Sequence, residues 1–177
     1  MHTSPHAPLP TGLDATRRKL RVALTSVIAA VGLTVTKGIV GWQTGSLGIL
    51  SEAAHSGMDL VAALITFFAV RVADRPADQD HHYGHGKVEN LSALIETGLL
   101  LLTCLWIISE ALERLFWKHV EIAPSWIAFA VMIGSIIVDV SRSRALAKVA
   151  VASGSQALEA DALHFQTDVW GSLTVVV

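Results

Sequence analysis

Apolar residues occur along the chain in five blocks, and ionisable side chains interrupt almost every block. The uncharged runs, of 11 to 17 residues each, are 22–36, 38–51, 60–70, 97–109 and 122–138. A plain membrane anchor contains about 18 or more apolar residues, so none of these runs crosses a bilayer without including a charge. With one or two ionisable residues admitted per span, the pattern predicts five membrane-spanning helices, at 20–42, 46–72, 88–117, 122–148 and 155–177.

The composition agrees with a membrane protein. Of the 177 residues, 52% are hydrophobic and only 16% are charged, against about 25% charged in soluble domains. The net charge of −2 gives no support to a nucleic-acid binder, and the mean hydropathy of +0.53 excludes a disordered chain. We therefore predict an all-α integral membrane protein folded as a helical bundle. Because a charge near the bilayer centre usually marks an ion or proton path, we expect a transporter and not an enzyme.

The distribution of basic residues predicts a cytoplasmic N-terminus. Residues 1–19 lack the apolar core of a signal peptide and end in a basic cluster, so we expect a cytoplasmic tail there and a transmembrane domain over 20–177. Threading the five helices from this tail places ten basic residues inside and two outside. Indole rings favour the membrane interface, and three fall at the predicted outer face: Trp42, Trp117 and Trp126.

A short internal repeat relates two of the predicted helices. Residues 45–60 read GSLGILSEAAHSGMDL, and residues 154–169 read GSQALEADALHFQTDV. Each copy begins with a serine that can cap a helix, and a histidine follows nine residues later. By the predicted topology the two copies cross the membrane in opposite directions, as inverted repeats in transporters do. At about 1.5 Å per residue, each histidine lies about 13 Å from its own membrane face, near the midplane.

Each copy also places an aspartate four residues after the histidine, which gives the pairs His55 with Asp59 and His164 with Asp168. Residues four apart share a helix face, so contact between the two faces brings together two imidazoles and two carboxylates. This donor set suits a tetrahedral divalent cation, above all zinc. The alternative is that each pair is a buried hydrogen bond that stiffens its helix. Two matched pairs at equal depth favour the metal site.

Further acids lie within the predicted helices. Glu52 and Asp161 stand three residues before the two histidines and share their faces, from which they can relay protons or orient the ligands. Solvated acids lining a water-filled cavity are the alternative. For the remaining acids we expect cavity-facing positions or polar contacts between helices: Glu96, Glu110 and Asp139.

The segment 73–87, ADRPADQDHHYGHGK, follows the second predicted helix and is a second concentration of metal-binding side chains. Pro76 and two glycines exclude a continuous helix there. A turn can bring Asp78, His81 and His85 around one cation with a water position left open. A polar, solvated connector is the alternative, but three histidines within five positions are uncommon in one.

These motifs resemble those of the cation diffusion facilitators, which are zinc-type divalent cation/proton antiporters. The matching features are H55xxxD59, P76-A77-D78, H81-H-Y-G-H85-G-K87 and the second copy, L158-E-A-D-A-L-H164-F-Q-T-D168. The resemblance implies a transport site of His55, Asp59, His164 and Asp168. It also implies a loop zinc site of Asp78, His81 and His85, and a role for Lys87 in charge contacts between protomers of a homodimer. Zinc is the implied substrate, with cobalt or cadmium as further candidates.

The resemblance implies metal export in exchange for protons by alternating access, in the plasma (inner) membrane of a bacterium. Family members have six helices and a cytoplasmic ferredoxin-like domain, so we expect these 177 residues to be the first five helices of that plan, either a fragment or a truncated protein. A non-transporting membrane scaffold or accessory subunit is the alternative. A membrane metal oxygenase fits less well, because it requires more histidines at paired cytoplasmic positions and open metal positions for oxygen.

Overall fold

The computed structural model describes residues 12–116 and 126–176. These residues form five helices: α1 (Gly12–Thr44), α2 (Leu47–Ala73), α3 (Lys87–Phe116), α4 (Trp126–Ser153) and α5 (Gln156–Val176). The all-α prediction is confirmed for the described part of the chain. Residues 1–11, 117–125 and 177, which include Trp117 and parts of three predicted helices, lie outside it.

Two helix bounds differ clearly from the predicted ones. The first helix begins at Gly12, and not at residue 20, so residues 12–19 of the predicted tail are helical. The fourth continues to Ser153, and not to 148. The first extension is rich in charge and therefore lacks the apolar pattern from which the bounds were predicted, whereas the second, VAVAS, is uncharged and follows Lys148. They are nevertheless packed, because Lys19 and Ala150 are both buried against neighbouring helices.

The two copies of the internal repeat form the same turn. Gly45 and Gly154 each adopt a φ of +65°, a left-handed conformation that glycine adopts without strain. The serine that follows each glycine caps the next helix. The Oγ of Ser46 accepts a hydrogen bond from the backbone N–H of Ile49 at 3.4 Å, and the Oγ of Ser155 accepts one from that of Leu158 at 3.4 Å. The Gly-Ser pair therefore ends one helix and starts the next in both halves.

These turns produce two helical hairpins, α1–α2 and α4–α5, which pack against each other. The remaining helix, α3, packs against α2 and α5. Small side chains allow close packing where four of the helices meet. The buried apolar cluster there consists of Ala23, Ala69, Val70, Leu146, Ala150, Ala157, Leu158, Ala162 and Phe165.

Polar side chains are buried within the bundle, and large apolar side chains cover its surface. Leu24, Ile28, Val31, Val35 and Ile39 form an exposed stripe along α1. The buried polar set includes Lys37, Asp59, Thr66, Glu96, Arg142, Asp161 and His164. This arrangement is typical of a bundle whose outer surface contacts lipid, where charged groups face the interior.

By length and composition, three helical segments are apolar enough to cross a membrane: Asp14–Thr44, Gly48–Ala73 and Lys87–Trp106. They correspond to the first three predicted spans. That α4 and α5 also span the membrane, and that the N-terminus is cytoplasmic, remain predictions.

Candidate metal centre

The two histidine–aspartate pairs of the repeat meet between α2 and α5. The Nε2 of His164 lies 3.3 Å from Oδ1 of Asp59 and 3.5 Å from Oδ2 of Asp168. The Nε2 of His55 lies 3.6 Å from Oδ1 of Asp168 and 3.8 Å from Oδ1 of Asp59. Each imidazole thus contacts both carboxylates. We call these four side chains the His–Asp ring.

The nitrogen–oxygen distances of the ring are close to those of a zinc site. Ligand atoms about 2.0 to 2.2 Å from a tetrahedral zinc ion lie about 3.3 to 3.6 Å from one another. Three of the four nitrogen–oxygen distances fall in this range, and the fourth, 3.8 Å, is slightly longer. The ligand atoms of His55, Asp59 and Asp168 all lie within 4.8 Å of one another, but His164 does not belong to this mutually close group. His55 and His164 face different oxygens of Asp168, Oδ1 and Oδ2. The 3.3 Å contact between His164 and Asp59 also suits a hydrogen bond, whereas the contacts of His55 at 3.6 and 3.8 Å are ion-pair distances.

The local sequence explains how the ring forms. Within each helix a separation of four residues aligns the imidazole above the carboxylate. Between the helices, His55 lies against Asp168 and Asp59 lies against His164, so α2 and α5 run antiparallel at the site. The ring is therefore close to two-fold symmetric, as the sequence repeat predicts. His164 and Asp59 are buried, with 4% and 6% of their surface exposed.

The other predicted acids lie beside the ring and not in it. Glu52 is half-exposed and accepts a hydrogen bond from the Lys37 ammonium at 3.2 Å. Asp161 is fully buried and accepts a weak hydrogen bond from the Oγ of Ser26 at 3.4 Å. Its other oxygen, Oδ1, has no hydrogen-bond partner among the described residues. Relay or orienting roles for these two acids stay predictions.

Glu96 makes the expected polar contact between helices, whereas the ion pair of Asp139 lies within its own helix. Glu96 accepts hydrogen bonds from the hydroxyls of Thr66 on α2 and Ser92 on its own helix. Asp139 pairs with Arg142 one turn later, at 3.3 Å. The side chain of Glu110 lies outside the described residues.

Sequence reasoning missed the burial of two cations near the ring. The topology prediction counts Arg142, in the last part of the fourth predicted span, among the basic residues on the cytoplasmic side, but it is buried among α1, α4 and α5. Lys37 is also buried and donates to Ser56 at 2.9 Å as well as to Glu52. The pattern that could have revealed Lys37 is its position between two uncharged runs, 22–36 and 38–51.

The loop residues also converge as expected. The Nδ1 of His81 lies 3.1 Å from Oδ1 of Asp78, and the Nε2 of His85 lies 3.3 Å from Oδ2 of the same carboxylate. The two imidazole rings are 4.4 Å apart between centroids. Gly84, with a φ of +77°, turns the chain so that its N–H donates to the carbonyl oxygen of His81. The three side chains can therefore provide ligands to one cation, with other positions open to water.

Hydrogen bonds within the loop favour the ionised form of the Asp78 carboxylate. Its carboxylate accepts a hydrogen bond from the backbone N–H of His81 at 2.7 Å, which is the main cause that lowers the pKa of Asp78 below its usual value. The His81 side chain and the N–H of Asp80 lower this pKa further. The loop therefore holds an anionic oxygen ligand over a wide pH range.

A separate ion-pair cluster ties the bundle together at the end where the loop lies. The ammonium of Lys19 on α1 contacts Asp74 after α2 at 2.5 Å and Glu89 on α3 at 3.1 Å. Glu89 also accepts a hydrogen bond from Ser155, which caps α5. Lys87, two residues before Glu89, is exposed. Its predicted contact with a second protomer stays a prediction.

Comparison with known proteins agrees with these features. Residues 23–177 match the family described as the cation efflux transmembrane domain. The chain is 30% identical to the cation-efflux pump FieF of Cronobacter sakazakii over 164 residues, which is 93% of this chain and 54% of that protein. It is 31% identical over 150 residues to FieF of Pectobacterium carotovorum, with 83% and 49% of the two chains covered.

An uncharacterized transporter of Synechocystis is 31% identical over 156 residues, which is 88% of this chain and 49% of that protein. The chain thus spans about half the length of the curated relatives it matches. The family match begins at residue 23, within α1, and covers the other four helices. It therefore includes both halves of the His–Asp ring. The chain belongs to the cation efflux family, of which it carries the transmembrane domain.

Proposed function

We propose that the His–Asp ring is the transport site of a divalent metal cation efflux protein, and that zinc is its substrate. The observation that carries the proposal is the convergence of two imidazoles and two carboxylates, at 3.3 to 3.8 Å, from two helices of a membrane bundle. Nitrogen and carboxylate oxygen in a four-coordinate array suit zinc, whereas magnesium and manganese prefer six oxygen-rich ligands. Two relatives are named cation-efflux pumps, which supports export.

Exchange of metal for protons follows from the chemistry of the same four groups. Zinc binds neutral imidazole and ionised carboxylate, so loading the ring requires it to release protons. Without metal, protonated imidazoles can pair with the neighbouring carboxylates, by a hydrogen bond at 3.3 Å between His164 and Asp59 and by charge attraction at 3.6 Å between His55 and Asp168, which keeps the ring assembled. Protons and metal therefore compete for one arrangement of side chains. Alternating access then requires that one helical hairpin moves against the rest of the bundle.

The loop cluster of Asp78, His81 and His85 is proposed as a second metal site near the cytoplasmic mouth. Two of its three residues are exposed, so water can replace a lost ligand there more easily than in the ring. We further propose that the protein acts as a homodimer in the inner membrane of a bacterium, with Lys87 near the contact between protomers.

The test is zinc flux and zinc-driven proton movement in proteoliposomes that contain the intact protein. Native protein should transport zinc into the lumen and release protons in exchange, while Asp168→Asn should do neither. A protein that shows no metal-dependent proton movement in either form would instead be a non-transporting scaffold or accessory subunit.

A further inference from the structure

Two cations are buried beside the His–Asp ring, and neither belongs to it. Arg142 on α4 has 6% of its surface exposed, and Lys37 on α1 has 4%. A buried cation in a membrane bundle is unfavourable unless it is paired, so its presence next to a cation site requires an explanation.

Arg142 connects three helices close to one side of the ring. Its guanidinium donates to Ser26 on α1 at 3.0 Å and to Asp139 on its own helix at 3.3 Å. It also lies 3.6 Å above the ring of Phe165, whose edge packs against the His164 imidazole with 5.4 Å between centroids. Its charge acts electrostatically on Asp161 and on Asp59 of the His–Asp ring.

Lys37 lies beside the half of the ring that α2 supplies. Its ammonium donates to Ser56, which directly follows His55, and to the Glu52 carboxylate. It acts electrostatically on Asp139, and the carboxylates of Asp59 and Asp168 act on that same residue. The charges around the ring are therefore close enough to influence one another.

The two cations occupy related places in the two halves of the repeat. Each lies on the helix that precedes a repeat copy, Lys37 on α1 and Arg142 on α4. Each is placed near the acid three residues before the histidine, Glu52 in one half and Asp161 in the other. Relative to the Gly-Ser turn, however, Arg142 lies one helical turn further away than Lys37.

We propose that Lys37 and Arg142 are fixed cations that weaken metal binding at the His–Asp ring enough for the metal to be released. This inference rests on the proposed transport site. Two carboxylates and two imidazoles in a low-dielectric interior attract a divalent cation strongly, and a transport site must also let its ion leave. Each nearby fixed positive charge repels the bound metal. When the metal has left, the same charges balance the carboxylates that no longer bind it, which lowers the free energy of the empty state.

The experiment is a zinc titration of the intact protein in a His81→Ala/His85→Ala background, so that the loop contributes no binding. Arg142→Gln and Lys37→Gln each remove one buried positive charge and should bind zinc about tenfold more tightly. Arg142→Lys keeps the charge and should retain the native affinity. The matched control is Arg144→Gln, which removes an exposed charge two residues from Arg142 on the same helix and should leave the affinity unchanged.

The direction of the change separates this role from a structural one, because damage to the site weakens binding. In transport, the two glutamine variants should show a lower KM and a lower kcat together, since tighter binding slows release. Unchanged or weaker zinc affinity in either folded variant overturns the proposal. If one of the two variants does not fold, the zinc affinity of the other variant alone tests the proposal. Asp168→Asn, included in the series, should abolish binding. If it does not, the transport site itself is wrong.

Discussion

The Nε2 of His164 lies 3.3 Å from Oδ1 of Asp59, although 105 residues separate them in the chain. This contact joins the two halves of the internal repeat, and its counterpart between His55 and Asp168 has a distance of 3.6 Å. Because both contacts cross from α2 to α5, metal binding and the packing of the two hairpins are coupled at one place. The predictions below test this place and the elements around it.

Replacing Asp59 or Asp168 with Ala should abolish zinc binding and zinc transport. Loss of a group that merely orients a ligand already costs about 10 to 100-fold in affinity, so loss of a ligand should cost at least about 100-fold. Zinc titration and flux in proteoliposomes measure both effects. Glu159→Gln, which changes an exposed acid on α5, is the control and should behave as native. Near-normal flux in a folded Asp59→Ala protein contradicts the proposed site.

The loop should be less important for transport than the ring. His81→Ala with His85→Ala should remove one bound metal per chain while reducing zinc flux only partly, because these residues contact solvent. The measurement is metal content after equilibrium dialysis, followed by flux. His82→Ala removes a neighbouring exposed imidazole that lies outside the cluster and should change neither. Complete loss of flux with normal binding at the ring would show that the loop is an obligatory gate.

His55 should set the selectivity between zinc and cadmium. Cadmium is larger than zinc and accepts an oxygen-rich or expanded ligand shell more readily, so His55→Asp should raise the relative rate for cadmium. The partial exposure of the His55 side chain, 20%, leaves room for this change. Competitive uptake of the two metals into vesicles with native and substituted protein measures the ratio. Equal ratios in the two forms would indicate that helix packing around the ring determines selectivity.

The cluster around Lys19 should contribute to stability. Lys19→Met leaves Asp74 and Glu89 without their cation, with 19% and 9% of their side chains exposed. Breaking a buried ion pair by removing one partner costs about 3 kcal/mol or more, so the melting temperature in detergent should fall by several degrees. Arg18→Met removes an exposed charge from the same turn and should have little effect. An equal decrease in the melting temperature of both variants would mean that the total charge of α1, and not the ion-pair cluster, determines the stability.

The repeat carried most of what could be predicted about the candidate site. A Gly-Ser turn, a fixed distance to a histidine and an aspartate four residues on are all local features, so the printed sequence contains them. The loop cluster is local for the same reason, since Asp78, His81 and His85 lie within one turn. Such features can be predicted from a sequence because, within one helix or turn, the number of residues between two side chains determines the distance between them.

The partners of the buried cations could not be predicted in this way. The bonds of Lys19 reach 55 and 70 residues along the chain, and the bond between Arg142 and Ser26 spans 116. Counting basic residues near helix ends assigned both Lys19 and Arg142 to the membrane surface, because such a count does not show the direction in which a side chain points. The length of α1 was underestimated for the same reason, since its charged first turns show no apolar period.

The near two-fold symmetry of the His–Asp ring has a consequence for directionality. An ion that approaches along α2 from its N-terminal end meets a histidine and then an aspartate, and an ion that approaches along α5 from its N-terminal end meets the same order. The ring alone therefore offers the metal equivalent entrances from opposite sides. Any difference between the two routes must come from the residues around the ring, and these differ between the two halves. Lys37 and a half-exposed Glu52 lie near one route, and Arg142 and a fully buried Asp161 lie near the other.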